Sequence, residues 1–141
     1  GLDPLNFADA VIGVLAQRLV RTLCSQCRES YSPDAELTKR LIHFYGEEYW
    51  AELKIDPGSI KVCKPKGCPR CGNSGYKGRT GVHELLEATA PMKKLISSKG
   101  TVSSIRELAL KEGMRTVMQD GVLKILKGQI DVEQLLEVTV E

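Results

Sequence analysis

Four cysteines carry the clearest chemistry in this chain. Cys24 and Cys27 form one C-x-x-C pair, and Cys68 and Cys71 form another. Two intervening residues let both thiolates of a pair turn toward one point. Two such pairs supply the four ligands of a tetrahedral zinc ion. The expected ligand set is therefore Cys24, Cys27, Cys68 and Cys71. Four thiolates close the coordination shell and leave no position for water, so the expected metal is structural, not catalytic. Gly72 follows the second pair, where a small residue lets backbone amides approach sulfur; Arg28 follows the first. Residues 28–67 separate the pairs, a wider gap than common zinc-ribbon spacing. A fifth cysteine, Cys63, could compete for a place in the site. Cys68 with Cys71 has the better geometry, and Cys63 reads as a small apolar residue on a strand.

An odd cysteine count does not suit a disulfide framework. Without a secretory signal, paired C-x-x-C motifs fit metal ligation in a reducing compartment. The start, Gly1-Leu2-Asp3-Pro4, lacks an initiator methionine and a basic leader, and reads as an excised portion of a longer protein. No apolar run approaches the roughly 20 residues of a membrane span.

Other chemistries find less support. No G-x-x-x-x-G-K-[ST], G-x-G-x-x-G or H-E-x-x-H occurs. His43 falls in a helical stretch and reads as a surface or half-buried residue. His83 and Glu84 are neighbours on an expected strand and so point to opposite faces. A Cys63–His83 nucleophile pair has no third supporting group. A net charge of +2 and 5% aromatic content do not suggest a nucleic-acid surface. The local cluster Lys61, Lys64, Lys66, Arg70, Lys77 and Arg79 reads as a solvated face around the metal. A chaperone zinc module is another alternative. Cys68–Gly75 approaches its C-x-x-C-x-G-x-G repeat, but the first pair has no glycines.

The elements that must position these residues follow from periodicity. Residues 4–22 read as an amphipathic helix, with Asp3 as cap, Pro4 in the first turn, and Phe7, Ala8, Val11, Ile12, Leu15 and Leu19 on one face. Ser32-Pro33 opens a helix to about Tyr45 with Leu37, Leu41 and Phe44 or Tyr45 as its stripe. Gly46 ends it, and 47–54 add a further turn or two. Residues 60–63 and 80–87 alternate as strands, and 67–75 suit a tight metal loop. The last fifty residues read as helices. Pro91 starts one, Ser104-x-x-Glu107 is a candidate capping box, and Gly113 and Gly128 are stops. Asp131 caps the last helix, with Ile130 stapled onto Leu135. The fold class is α+β and mostly helical: a tetracysteine zinc module with short strands, then a small helical subdomain.

Several stretches point to a family. Gln17-Arg18-Leu19-Val20-Arg21-Thr22-Leu23 leads into Cys24. Gly67-Cys68-Pro69-Arg70-Cys71 leads into Gly75-Tyr76-Lys77-Gly78-Arg79-Thr80-Gly81-Val82-His83-Glu84-Leu85-Leu86. Glu112-Gly113-Met114-Arg115-Thr116, Asp120-Gly121 and Glu133–Thr139 follow. Together they resemble the C-terminal part of the type II secretion traffic ATPases, the general secretion pathway protein E family, and of their type IV pilus relatives. The resemblance is weakest across 33–62, where the segment between the pairs is long and carries Cys63. It implies a hexameric, cytoplasmic, RecA-like parent that uses ATP and magnesium and docks on inner-membrane secretion or pilus platform proteins. It implies that the phosphate-binding loop lies upstream. It also implies three parts: 1–22 as the last helix of the RecA-like core, 23–78 as the metal module, and 79–141 as the helical subdomain. Arg79, in the glycine-rich turn, would face nucleotide or a neighbouring subunit, or simply solvent. The chain alone is expected to be inactive.

Overall fold

The computed structural model describes residues 13–139. Among these, four strands and six α-helices follow in the order β1 (Gly13–Leu23), β2 (Glu29–Tyr31), α1 (Ala35–Tyr45), α2 (Glu47–Leu53), β3 (Val62–Lys64), β4 (Tyr76–Glu87), α3 (Ala90–Ser97), α4 (Val102–Lys111), α5 (Val117–Leu126) and α6 (Val132–Thr139). This is the expected α+β class. β1 pairs with β4 and β2 with β3, each as a two-stranded sheet. β2 and β3 run antiparallel, with Ser30 opposite Cys63 and Tyr31 opposite Val62. Packing groups the described residues into two compact units, Gln17–Val82 with 117–139, and 13–16 with His83–Thr116. β1 and β4 contribute residues to both.

The first unit holds the larger core. Asp34 caps α1 by accepting the Leu37 N–H at 2.8 Å. The stripe then buries Leu41 and Tyr45. The chain turns at Gly46, and α2 brings Trp50 edge-on to Tyr45, with ring centroids 6.0 Å apart. α5 packs against both α1 and α6. Gln119 on α5 is buried and donates to the Tyr45 carbonyl at 2.7 Å. It thereby satisfies one of the carbonyls that a helix end leaves open. Gly121 lies where α5 meets α6: a Cβ there would fall 2.3 Å from Leu135 Cδ1. Val20, Leu41, Ile60, Val62, Val82, Val122, Ile125, Ile130 and Leu135 complete this core with Tyr45 and Trp50. Asp131 caps α6 by accepting the Gln134 N–H at 3.2 Å, as its position suggests. Ile130 and Leu135 are both fully buried.

In the second unit, Thr89 caps α3 through the Met92 N–H at 3.2 Å, and Pro91 sits in the first turn. α4 packs against α3. Its cap is Thr101, which accepts the Ser104 N–H at 3.1 Å, and not Ser104 as the capping-box pattern suggests. Thr101 is the residue in extended conformation (φ −70°, ψ 160°), whereas Ser104 already lies inside the first helical turn. A cap must be non-helical itself.

Two further expectations are corrected. The helix over 4–22 is not found in its described part: 13–23 is strand. The stripe residues Leu15 and Leu19 are 59% and 57% exposed, while Val20 and Leu23 are buried. The long partner strand β4 supplies backbone hydrogen bonding that no local pattern reveals. Residues 4–12 of that expected helix lie outside the described residues. Strand β4 also begins at Tyr76, four residues before the expected 80, and the short β2 was not anticipated.

Candidate metal centre

The two cysteine pairs converge in the first unit. Cys24 leaves the end of β1, where its N–H donates to the Gly75 carbonyl at 2.9 Å. The chain then turns tightly, with the Arg28 N–H on the Cys24 carbonyl at 2.9 Å. Cys68 opens and Cys71 ends a single 3₁₀ turn that Gly72 closes in left-handed conformation. The Cys71 and Asn73 N–H groups both donate to the Cys68 carbonyl, at 3.2 and 2.8 Å. Each pair thus forms a knuckle with both sulfurs on its inner side.

The four sulfurs lie within 4.8 Å of one another. Cys24 to Cys68 is 3.8 Å, Cys27 to Cys71 is 3.8 Å, and Cys68 to Cys71 is 3.7 Å. Sulfurs about 2.3 Å from a tetrahedral zinc ion sit about 3.8 Å apart. The donor set and its spacing therefore fit such an ion, and the group can hold a metal. Cys24 is buried and the other three are half-buried, so the group is partly shielded from water.

Backbone amides already point at the sulfurs. Gly67 N–H donates to Cys27 Sγ at 3.3 Å, Cys68 N–H to Cys71 Sγ at 3.3 Å, and Gly75 N–H to Cys71 Sγ at 3.2 Å. Such bonds favour the thiolate over the thiol. Burial pushes the Cys71 thiol up, but the amides of Cys68 and Gly75 outweigh it, and its pKa falls to about 6. The Gln26 amide lowers Cys24 despite burial. Cys27 goes the other way, to about 11, because burial outweighs its single bond from Gly67. Sulfurs this close do not ionise together readily unless a cation shares their charge.

The position of Gly75 explains why the sequence needs glycine there. Its φ is +84°, and a Cβ would fall 2.4 Å from Pro65 Cβ. Two of the three amide donors, Gly67 and Gly75, lie outside the pattern that points to Gly72. Their only signal is the placement of Gly67 and Gly75 on either side of the second pair.

Cys63 does not belong to the four-sulfur group. It is half-buried on β3, beside Gly128. Arg79 is exposed on β4. His43 is exposed in the last turn of α1, and His83 is exposed on β4. Glu84 is half-buried and pairs with Arg106 at 3.8 Å. No helix among the described residues is long and apolar enough to cross a membrane.

Comparison with known proteins supports the resemblance read from the motifs. The type II/IV secretion system protein family matches residues 1–137. The type IV pilus assembly ATPase PilB of Thermus thermophilus is 38% identical over 141 residues, all of this chain and 15% of that protein. The type II secretion system ATPase E of Vibrio cholerae is 34% identical over 141 residues, again all of this chain and 26% of that protein. PilB of Pseudomonas aeruginosa is 36% identical over 139 residues, 99% of this chain and 23% of that protein. The chain thus spans about a quarter or less of the length of these relatives. A match across nearly every residue, at these identities, places the chain in the type II/IV secretion system protein family.

Proposed function

We propose that this chain is the zinc-stapled C-terminal portion of a secretion or pilus-assembly ATPase, with a structural and regulatory role and no catalytic machinery of its own. The observation that carries the reading is the four-sulfur group at tetrahedral spacing in a chain of this family. Cys24, Cys27, Cys68 and Cys71 would hold one zinc ion. With all four positions filled by thiolate, the ion would cross-link the end of β1 to the loop before β4 and leave no site for water.

In this reading residues 1–22 belong to a RecA-like core, 23–78 to the metal module, and 79–141 to a C-terminal subdomain. ATP and magnesium bind in the parent, where the phosphate loop lies upstream. The parent is a homohexamer on the cytoplasmic side of the inner membrane, docked on platform proteins of a secretion or pilus machine. Arg79 serves nucleotide or a neighbouring subunit there. Its exposure on a strand just beyond the metal loop is compatible with that role.

Metal analysis of the purified chain tests the central claim. One zinc equivalent is expected, lost in Cys24→Ser and kept in Cys63→Ser. Loss of zinc in the Cys63 variant overturns the ligand set. In the parent enzyme, Arg79→Ala is expected to lower ATP hydrolysis while the chain stays folded. Unchanged hydrolysis returns Arg79 to a solvent role.

A further inference from the structure

We propose that Tyr76, Asp131 and Arg21 are positioning residues of the metal centre, forming a latch through which metal binding and the docking of α6 support each other. The proposal rests on the zinc reading above. It starts from the backbone of Gly75, which touches both cysteine pairs. Its N–H donates to Cys71 Sγ at 3.2 Å, and its carbonyl accepts from the Cys24 N–H at 2.9 Å. The carbonyl lies in the peptide that joins Gly75 to Tyr76, so holding Tyr76 fixes how that carbonyl meets the Cys24 N–H.

Tyr76 is held from three sides. Its hydroxyl donates to Asp131 Oδ2 at 2.6 Å. Its N–H donates to Ser74 Oγ at 3.1 Å. The Arg21 guanidinium lies 4.3 Å above its ring centroid, within cation–π range. Burial and the bond to Asp131 push the phenol above its ordinary range, so it stays a donor at working pH.

The other end of the latch is the start of α6. Asp131 is buried, at 7% exposure, and its second carboxylate oxygen caps that helix through the Gln134 N–H. The Arg21 N–H donates to Gln134 Oε1 at 2.8 Å. Two more bonds join the same segment to the first cysteine pair. The Leu23 N–H reaches the Gln129 carbonyl at 2.9 Å, and Arg28 reaches the Gly128 carbonyl at 2.6 Å. The segment 128–134 is thus fastened beside Cys24, beside Cys27 and one residue after Gly75. Ordering the four sulfurs orders these attachment points, and ordering α6 orders the sulfurs. Partners of this outer kind typically set metal affinity ten-fold or more.

The experiment uses the 141-residue chain with zinc. Apparent zinc affinity is measured by competition with a chromophoric chelator. Hydrogen exchange across 132–139 is measured with zinc bound and stripped, and the absorption of the cobalt-substituted chain is recorded. In the natural sequence, stripping is expected to speed exchange in α6. Tyr76→Phe is expected to bind one zinc about ten-fold more weakly, to shift the cobalt–thiolate band, and to lose the metal-dependent protection of α6. Asp131→Asn keeps a competent cap and should weaken zinc in the same direction. Asp34→Ala, a helix-cap control outside the latch, should leave zinc affinity unchanged. Natural-strength zinc binding in both latch variants overturns the proposal, as does α6 exchange indifferent to metal in the natural sequence. Absence of zinc binding in the natural sequence overturns the zinc reading itself.

Discussion

The metal knuckles and the helical core of the same unit are ordered by different means. Around the second cysteine pair, Pro69, Arg70, Gly72, Asn73 and Ser74 are all exposed. Such residues bury little apolar area, and burial at about 25 cal/mol per Å² cannot hold them. Their shape comes from short backbone bonds and from sulfurs aimed at one point. The helices α1, α2, α5 and α6 instead bury Leu41, Tyr45, Trp50, Val122, Ile125 and Leu135. Their order comes from solvent exclusion and close packing. One region should therefore answer to metal and thiol chemistry, and the other to side-chain volume.

The largest expected effect tests the first half of that contrast. Cys71→Ser removes the sulfur that receives two amide bonds and stands 3.7–3.8 Å from two partners. Zinc content should fall to near zero. Structural zinc sites contribute on the order of 10 kcal/mol in small peptides, so a loss above about 4 kcal/mol is expected here, read by denaturant unfolding. A stable, zinc-free variant would show that the knuckles do not depend on metal. Leu135→Ala tests the other half. Leu135 is fully buried against Gly121, and truncation should cost about 3 kcal/mol. The variant should still bind one zinc when folded.

The contrast also explains what the sequence made legible. A C-x-x-C pair is local chemistry, so Cys24, Cys27, Cys68 and Cys71 could be grouped without knowing the fold. The Asp131 cap was legible for the same reason, and so was the α1 stripe through Leu41 and Tyr45. Strand β1 was not. Leu15 and Leu19 happen to sit four apart, and only pairing with β4, some sixty residues away in the chain (about one small domain's length), decides for strand. Thr101 and Ser104 are both hydroxyl residues, and the Ser104–Glu107 spacing imitates a capping box. Only the chain path after Gly100 shows which one is extended. The amide donors Gly67 and Gly75 have no side chain to announce them.

A smaller effect is expected where the two modes of order meet. Gly75→Ala places a side chain at φ +84° and 2.4 Å from Pro65 Cβ. Relief of that contact must move the peptide whose N–H serves Cys71. A loss of about 2 kcal/mol is expected, with zinc retained at lower affinity and released faster to a chelator. A fall in stability with unchanged zinc release would mean that the Gly75 amide does not help hold the site.

The smallest effect belongs to the surface of the helical half. Asp34 is exposed, and its carboxylate receives the Leu37 N–H at 2.8 Å. Its own carbonyl also receives the Thr38 hydroxyl at 2.8 Å, so the first turn of α1 is fastened twice at one residue. Asp34→Ala removes only the first of these bonds. The uncovered amide can find water, which limits the cost to about 1 kcal/mol. Asp34→Asn keeps an oxygen acceptor and should recover most of that loss, because asparagine caps about as well as aspartate. Both variants should keep one zinc at natural affinity, since α1 contributes no ligand and no amide donor to the sulfurs. Denaturant unfolding beside a zinc competition assay separates the two quantities. Weaker zinc binding in Asp34→Ala would mean that fraying of α1 reaches the knuckles, and the two regions would then be one cooperative structure despite their different chemistry.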